Sequence, residues 1–234
     1  MKELSIVFPI HNEQNNIRSL LSSWSHELVK NKIDYEFVLV EDGSTDKTKE
    51  IIKELENQYP IINLSQDEKR YYTKAVVDGI YHSNKEYILC TDSDNQIKVE
   101  SLIENISFLP QENEFIFGYR NPRNDPIKRI IISKAFKILH DLLFHSKLKD
   151  PSCPFVIGQN KTYKKLPREK LLMMREGFWW GFVGVSMISN IKFLEKPIKH
   201  YSREIGDSSY KISNIIKIVL INTIGLLKIK FNLK

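Results

Sequence analysis

The segment Thr91-Asp92-Ser93-Asp94-Asn95-Gln96 sets two carboxylates at i and i+2, with an amide two residues further on. On an extended turn this spacing puts hard oxygen ligands on one side. That donor set suits Mg²⁺ or Mn²⁺, which keep open positions for substrate phosphate oxygens. The same residue types also favour an Asx-rich turn that caps a following helix, and the motif alone leaves both readings open. A second polar concentration is Val40-Glu41-Asp42-Gly43-Ser44-Thr45-Asp46-Lys47-Thr48. Gly43 suits a tight turn, and Asp42 can accept hydrogen bonds from a nucleobase N–H or a ribose hydroxyl; helix capping by Ser44 or Thr45 is the plainer reading. The third is Phe8-Pro9-Ile10-His11-Asn12-Glu13, where Glu13 is either a nucleotide ligand or a carboxylate favoured by the dipole of a helix's first turn.

Each group follows a short apolar run. Leu4–Pro9, Glu36–Val40, Ile61–Leu64 and Tyr87–Thr91 read as strands. Glu13–Lys30, Thr45–Tyr59 and a segment near Thr73–His82 read as helices, the first with Ile17, Leu20, Leu21, Trp24 and Leu28 on one face, the second with Ile51, Ile52 and Leu55 inward. Strand–helix alternation predicts an α/β fold with a mostly parallel sheet covered on both faces. Ligands then bind beyond the carboxyl ends of the strands, where all three polar groups fall. Further on, Phe115–Tyr119 suggests a strand and Pro126–His145 a helix. Asp150–Gly158 and Glu176–Gly184 read as irregular and aromatic, and Ile212–Leu227 as a terminal helix.

Composition narrows the class. A chain of 234 residues, 41% hydrophobic and 27% charged, has enough apolar material for one compact domain without disulfides. Cys90 and Cys153 lie far apart with no metal-binding spacing, which points to a reducing compartment. The apolar run at the N-terminus is too short for a secretory signal. The apolar stretch Ile218–Leu227, interrupted by Asn222 and Thr223, falls short of a membrane span. The formal net charge of +6 is carried entirely by residues 192–234. There Lys192, Lys196, Lys199, Arg203, Lys211, Lys217, Lys228, Lys230 and Lys234 face only Glu195, Glu204 and Asp207. A basic, apolar tail suggests an anionic membrane surface, or else a final helix packed on the core. The balanced charge of residues 1–191 and the lack of any recognition motif speak against nucleic acid.

The three polar groups, in this order and each at a predicted strand tip, resemble family 2 glycosyltransferases of the GT-A fold. Asp92-Ser93-Asp94-Asn95-Gln96 is further similar to the D-x-D-x-Q of dolichyl-phosphate mannose synthases and other polyprenyl-phosphate glycosyltransferases. Gly118-Tyr119-Arg120, Arg129 with Ser133, Asp150, Pro197 and Arg203-Glu204-Ile205-Gly206-Asp207-Ser208 follow that branch's order. The resemblance runs from residue 4 to residue 210. It implies that Pro9, His11, Glu13, Val40, Asp42 and Ser93 lie around the nucleotide-sugar donor. It implies Asp92, Asp94 and Gln96 around the metal and diphosphate, and Arg120, Arg129, Ser133 and Arg203 at the phosphates of donor and acceptor. Asp94 and the three arginines would be the catalytic set. His11 stands where an aromatic residue is usual, Pro154 where glycine is usual, and Ser209 where lysine often follows.

The implied activity is metal-dependent, inverting hexosyl transfer from a nucleotide-sugar to a polyprenyl phosphate. Such an acceptor is already ionised and needs cations rather than a base, and the arginine fork suits phosphate. Transfer to a saccharide hydroxyl instead requires a positioned base; Glu176 is the candidate, with Trp179 and Trp180 as a sugar-stacking platform or as plain core packing. A catalytically dead nucleotide-sugar binder is disfavoured by the intact D-x-D. The expected organisation is a GT-A domain over residues 1–210 and a basic amphipathic helix over 211–234, peripheral at the cytoplasmic face of a membrane.

Overall fold

The structure, a computed structural model, describes residues 2–202 and 215–233. Among the described residues seven strands form one sheet in the order β3-β2-β1-β4-β6-β5-β7. They are β1 (Lys2–Ile10), β2 (Ile33–Glu41), β3 (Ile61–Asn63), β4 (Tyr87–Thr91), β5 (Glu114–Arg120), β6 (Phe155–Gln159) and β7 (Lys192–Ile198). β1 pairs in parallel with β2 and β4, β2 with β3, and β5 with β7. Only β6 runs the other way, antiparallel to both β4 and β5. The expected mostly parallel α/β sheet is present, with one reversed strand inside it.

The period-2 geometry of the strands divides the core into two. Leu4, Ile6, Phe8 and Ile10 of β1 point to a layer shared with α1 (Ile17–Lys30), α2 (Thr48–Leu55) and α4 (Glu100–Asn105). Val7, Val38 and Val40 point to the other. There they meet α3 (Tyr72–His82), α5 (Ile127–Phe144), α6 (Asn160–Lys165), α7 (Arg168–Leu171), α8 (Phe178–Ile188) and α9 (Ile215–Phe231). The expected inward face of α1 (Ile17, Leu20, Leu21, Trp24, Leu28) is fully buried, each large side chain contributing about 1.5–3 kcal/mol. Trp24 meets Phe8 edge to face at 5.3 Å.

Several elements differ from the reading of the sequence. α1 begins at Ile17 because residues 13–16 form the turn that enters it. α2 begins at Thr48, where the Asp46 carboxylate accepts the Thr48 N–H at 3.0 Å. Phe155–Gln159, expected to be irregular, is β6, and Phe178–Ile188 is a helix with every residue from Phe178 to Ser186 buried. The terminal helix is α9; residues 212–214 lie outside the described residues. Rather than standing apart, α9 sends Leu226 and Ile229 into the core beside α8. Asn222 packs on Gly177, which enters α8 at φ +64.

Gly79 lets α3 lie close on the sheet: a Cβ there would stand 2.4 Å from Val7 Cγ1 and 2.9 Å from Val40 Cγ2. Gly79→Ala therefore forces α3 off β1 and β2. A loss of about 1–3 kcal/mol in urea unfolding is expected, typical of overpacking.

Candidate active site

The tips of β1 and β2 are sewn to each other. Asn12, at φ +57, accepts the Thr45 N–H on its side chain at 2.8 Å and donates its own N–H to Ser44 Oγ at 2.9 Å. Glu13 N–H donates to Thr48 Oγ1 at 2.9 Å, and His11 Nδ1 donates to the Asp42 carbonyl at 3.0 Å. The Glu13 carboxylate is buried and accepts the Asn16 side-chain amide at 2.6 Å, so it also braces the entrance to α1. Pro9 pairs with Val40 inside the sheet, and the Val40 side chain lies wholly in the core. Any contact of Val40 with a ligand is thereby confined to its backbone.

Asp42 is buried at the β2 tip, and its carboxylate accepts the Arg70 N–H. Arg70 is a residue no sequence motif marks. Its guanidinium reaches the Leu64 carbonyl at 2.7 Å and Asp78 at 3.2 Å, which fixes the 64–70 loop beside Asp42. Gly43, at φ +66, lies so close to this loop that a Cβ would be 3.0 Å from Lys69 N.

The D-x-D follows β4 directly. Ser93 Oγ donates to the Pro9 carbonyl at 2.9 Å, so its hydroxyl ties the β4 tip to β1. Asp94 Oδ1 accepts the Gln96 N–H at 3.2 Å, the Asx turn expected of these residues. The Gln96 side-chain amide donates to the Tyr201 carbonyl at 3.2 Å, and Tyr201 N–H donates back to the Gln96 carbonyl at 2.9 Å. Gln96 therefore anchors the segment entering residues 203–214. Arg203 lies outside the described residues.

Burial, and then the neighbouring Asp94, push Asp92 up to about 7, against a hydrogen bond from Tyr72. Two carboxylates that oppose each other's charge in this way are stabilised by a cation. Among the described residues no cluster of three or more His, Cys, Asp or Glu is present. Asp92 and Asp94 alone fit a hard divalent ion that takes one or two carboxylates and completes its shell with water and phosphate oxygens.

Beyond β5 lies a second cluster. Arg120 is bidentate on Asp150, at 2.7 and 2.9 Å, and also reaches Ser152 Oγ at 2.8 Å. Three arginines converge on Asp125: Arg120 at 3.3 Å, Arg123 at 2.7 Å and Arg129 at 3.1 Å. Burial opposes ionisation of Asp150, but Arg120's hydrogen bonds and charge overcome it and hold the group at about 2. Asp125 is likewise held below its usual range by the three arginines, against its burial. The Arg120 side chain is 5% exposed and Arg129 45%, so Arg120 orients its neighbours while Arg129 reaches solvent. Ser133 Oγ accepts from Arg123 at 3.1 Å. Arg123 was not marked by the sequence, where an arginine in a polar loop is indistinguishable from a solvated charge. A cavity of about 240 Å³ is lined here by Arg123, Ser133, Lys134, Lys137, Lys149 and Trp180, among others.

Trp179 and Trp180 are buried, closed against Phe178 and Phe136 respectively. They are core residues; Trp180 forms part of the cavity wall, but at 8% exposure it leaves little ring for stacking a sugar. Glu176 stands half-buried just before α8.

His200 holds the loop ahead of α5: its Nδ1 accepts the Asn124 N–H at 3.1 Å. Burial, followed by the charge of Arg120, lowers it from 6.5 to about 4; burial does the same to His140, again to about 4. A histidine depressed in the folded state contributes stability that is complete above about 6.5 and is lost as pH falls towards 4. Urea unfolding at pH 7.0 and 4.5 should therefore show a marked acid loss. The loss should be smaller in His200→Gln, whose amide still accepts the Asn124 N–H but does not titrate.

Comparison with known proteins agrees with this fold. Undecaprenyl-phosphate 4-deoxy-4-formamido-L-arabinose transferase of Photorhabdus laumondii is 25% identical over 226 residues, covering 94% of this chain and 66% of that protein. This chain thus spans just under two thirds of that relative's length. Dolichyl-phosphate beta-glucosyltransferase ALG5A of Trichomonas vaginalis is 27% identical over 251 residues, covering 97% and 76%. Among solved structures, glucosyl-3-phosphoglycerate synthase of Mycobacterium tuberculosis, in complex with Mn²⁺, UDP and glucosyl-3-phosphoglycerate, superposes with a TM-score of 0.68 at 15% identity, over 100% of this chain and 81% of that one. Mannosyl-3-phosphoglycerate synthase of Rubrobacter xylanophilus gives 0.66 at 9% identity, over 97% and 73%. These likenesses establish the expected GT-A fold. The family model described as Glycosyl transferase family 2 matches residues 5–172, well over half of the chain, and the protein belongs to that family.

Proposed function

We propose that the protein moves a sugar from a nucleotide-sugar to a polyprenyl phosphate, with inversion and with Mg²⁺ or Mn²⁺. The observation that carries this reading is the state of the carboxylates at the arginine cluster. Asp125 and Asp150 are both paired with arginines and both held below the usual carboxylate range, which makes them poor proton acceptors. A hydroxyl acceptor needs a base there; a phosphate acceptor needs cations, and Arg123, Arg129, Lys134 and Lys149 supply them. The relatives named for undecaprenyl- and dolichyl-phosphate support the same acceptor class. Transfer to a saccharide hydroxyl with Glu176 as base rests on sequence position alone.

In this reading Asp42 and the 64–70 loop hold the nucleoside, and Pro9, His11 and Glu13 shape the floor beneath it. Asp92 and Asp94 hold the divalent ion, which when bound neutralises the diphosphate of the donor. An oxygen of the acceptor phosphate forms a bond to the anomeric carbon as the bond from that carbon to the diphosphate breaks. No proton need be removed. The arginines bring two anions together and stabilise the charge on the departing diphosphate, an electrostatic contribution that costs no reorganisation at the moment of reaction.

The exposed side of α5 supports work at an anionic membrane surface. Ile127, Ile131, Ile138 and Leu142 share one helix face at i, i+4, i+11 and i+15 and are 60–70% exposed, with Lys134 between them and Ser133 turned towards the cavity. In α9, Leu220 and Ile224 are also exposed, and the helix carries Lys217, Lys228 and Lys230 without an acidic residue. Among the described residues no helix is long and apolar enough to cross a membrane. Peripheral attachment at a cytoplasmic face is the localisation that fits.

Radiolabelled nucleotide-sugars incubated with a polyprenyl phosphate should yield a lipid-linked sugar, and excess EDTA or Asp94→Ala should abolish it. Glycosylation of free saccharides with no lipid product would replace this reading by the hydroxyl-acceptor one. The double variant Ile131→Ser/Ile138→Ser alters only exposed positions. It should bind anionic vesicles less and transfer less to a long-chain acceptor, while transfer to a short, water-soluble isoprenyl phosphate persists.

A further inference from the structure

Asp92 is reached from α8 by a chain of two hydrogen bonds. Trp179 Nε1–H, on α8, donates to Tyr72 Oη at 2.9 Å, and Tyr72 O–H, at the start of α3, donates to Asp92 Oδ1. The chemistry of the groups fixes its direction. An indole nitrogen is a donor only, so the phenol oxygen must accept from Trp179, and its single proton is turned to the carboxylate. Trp179 is buried and held by Phe178 at 5.0 Å, while the Tyr72 ring lies 6.4 Å from Phe178. The residue before Tyr72 adds a constraint of its own. Tyr71 has φ +68 and ψ 151, a region that side-chain-bearing residues enter at a cost of order 1–3 kcal/mol, and Arg175 clasps its hydroxyl at 3.1 Å.

We infer that Trp179 and Tyr72 form a one-way relay that orients Asp92 for the divalent ion, which makes Tyr72 and Trp179 positioning residues. The relay occupies Oδ1, leaves Oδ2 outside this bond, and limits rotation of the carboxylate. Metal-binding side chains are commonly oriented by such outer hydrogen bonds, whose loss costs about 10–100-fold in metal affinity. The inference rests on the proposed metal-dependent reading and deepens it. It assigns Trp179 a role that needs neither an exposed ring nor contact with sugar.

The test is titration of the intact protein with Mn²⁺ in the presence of UDP, with free Mn²⁺ followed by electron paramagnetic resonance. Tyr72→Phe removes one hydroxyl and should weaken Mn²⁺ binding about 10–100-fold. Trp179→Phe keeps an aromatic ring but loses the N–H, and should fall between that variant and the wild type. UDP binding in EDTA should stay unchanged in both, with circular dichroism confirming the fold. Wild-type affinity for Mn²⁺ in Tyr72→Phe overturns the relay alone. Equal loss of UDP binding in EDTA overturns it too, because the hydroxyl would then serve the fold in general. No Mn²⁺ binding by the wild-type protein overturns the metal-dependent reading and the relay with it.

Discussion

Asp92 and Asp94 stand two residues apart at the end of β4, a strand that is buried from Ile88 to Thr91, and like charges so placed oppose each other's ionisation. Much of the surrounding structure answers that constraint. Ser93 fastens the turn to Pro9 of the neighbouring strand, Tyr72 donates to Asp92, and Gln96 ties the far end of the turn to Tyr201. The repulsion is retained and its geometry is fixed. A site of this kind is poised for a cation, since binding removes an unfavourable interaction already present in the folded chain.

The arginine cluster solves the opposite problem. Three guanidinium groups are gathered where they would repel one another, and Asp125 and Asp150 hold them in place. Each acid is spent on orienting arginines, so the cluster keeps a positive balance while every charge has a partner. Under the proposed reading, the two ends of the reaction are prepared by mirror-image arrangements: acids awaiting a cation on one side, cations braced by acids on the other.

The half of the fold that carries the first arrangement was legible in the sequence. β1, β2 and β4 are apolar runs that end in conspicuous polar turns, and α1 has a clean inward face. β6 was missed because Phe155–Gly158, four buried residues in the middle of a sheet, show no alternation and follow Pro151 and Pro154, which read as a loop. α8 was missed for a related reason: it is buried all round, so no polar stripe reveals its period. At the site, Asp42, Asp92 and Asp94 announce themselves by spacing. Arg70 and Tyr72 do not, because their importance comes from partners well separated in the chain, Asp42 and Asp92, and Arg123 does not, because its loop gives no sign of the Asp125 and Ser133 contacts that fix it. Val40 and the two tryptophans illustrate the converse, since residues within or beside a motif face the core.

The reversed strand has a consequence for how such a chain can change over generations. Most of what surrounds Asp42 and Asp92 comes from residues before α4, joined from later in the chain by Trp179 through Tyr72 and by Tyr201 at Gln96, while the groups around Asp125 and Asp150 come from residues after it. The two portions meet along a seam in which β6 lies between β4 and β5, with Cys90 opposite Val156 and Ile116 opposite Ile157. The seam is made of backbone hydrogen bonds and tightly fitted side chains, with Phe155 opposite Thr91, Phe117 opposite Val156 and Phe115 opposite Gly158, where a Cβ would stand 2.3 Å from the Phe115 ring. A lineage that exchanged one recognition surface for another would therefore have to keep the register of that seam together with the Trp179–Tyr72–Asp92 chain and the Gln96–Tyr201 tie, which join the two portions.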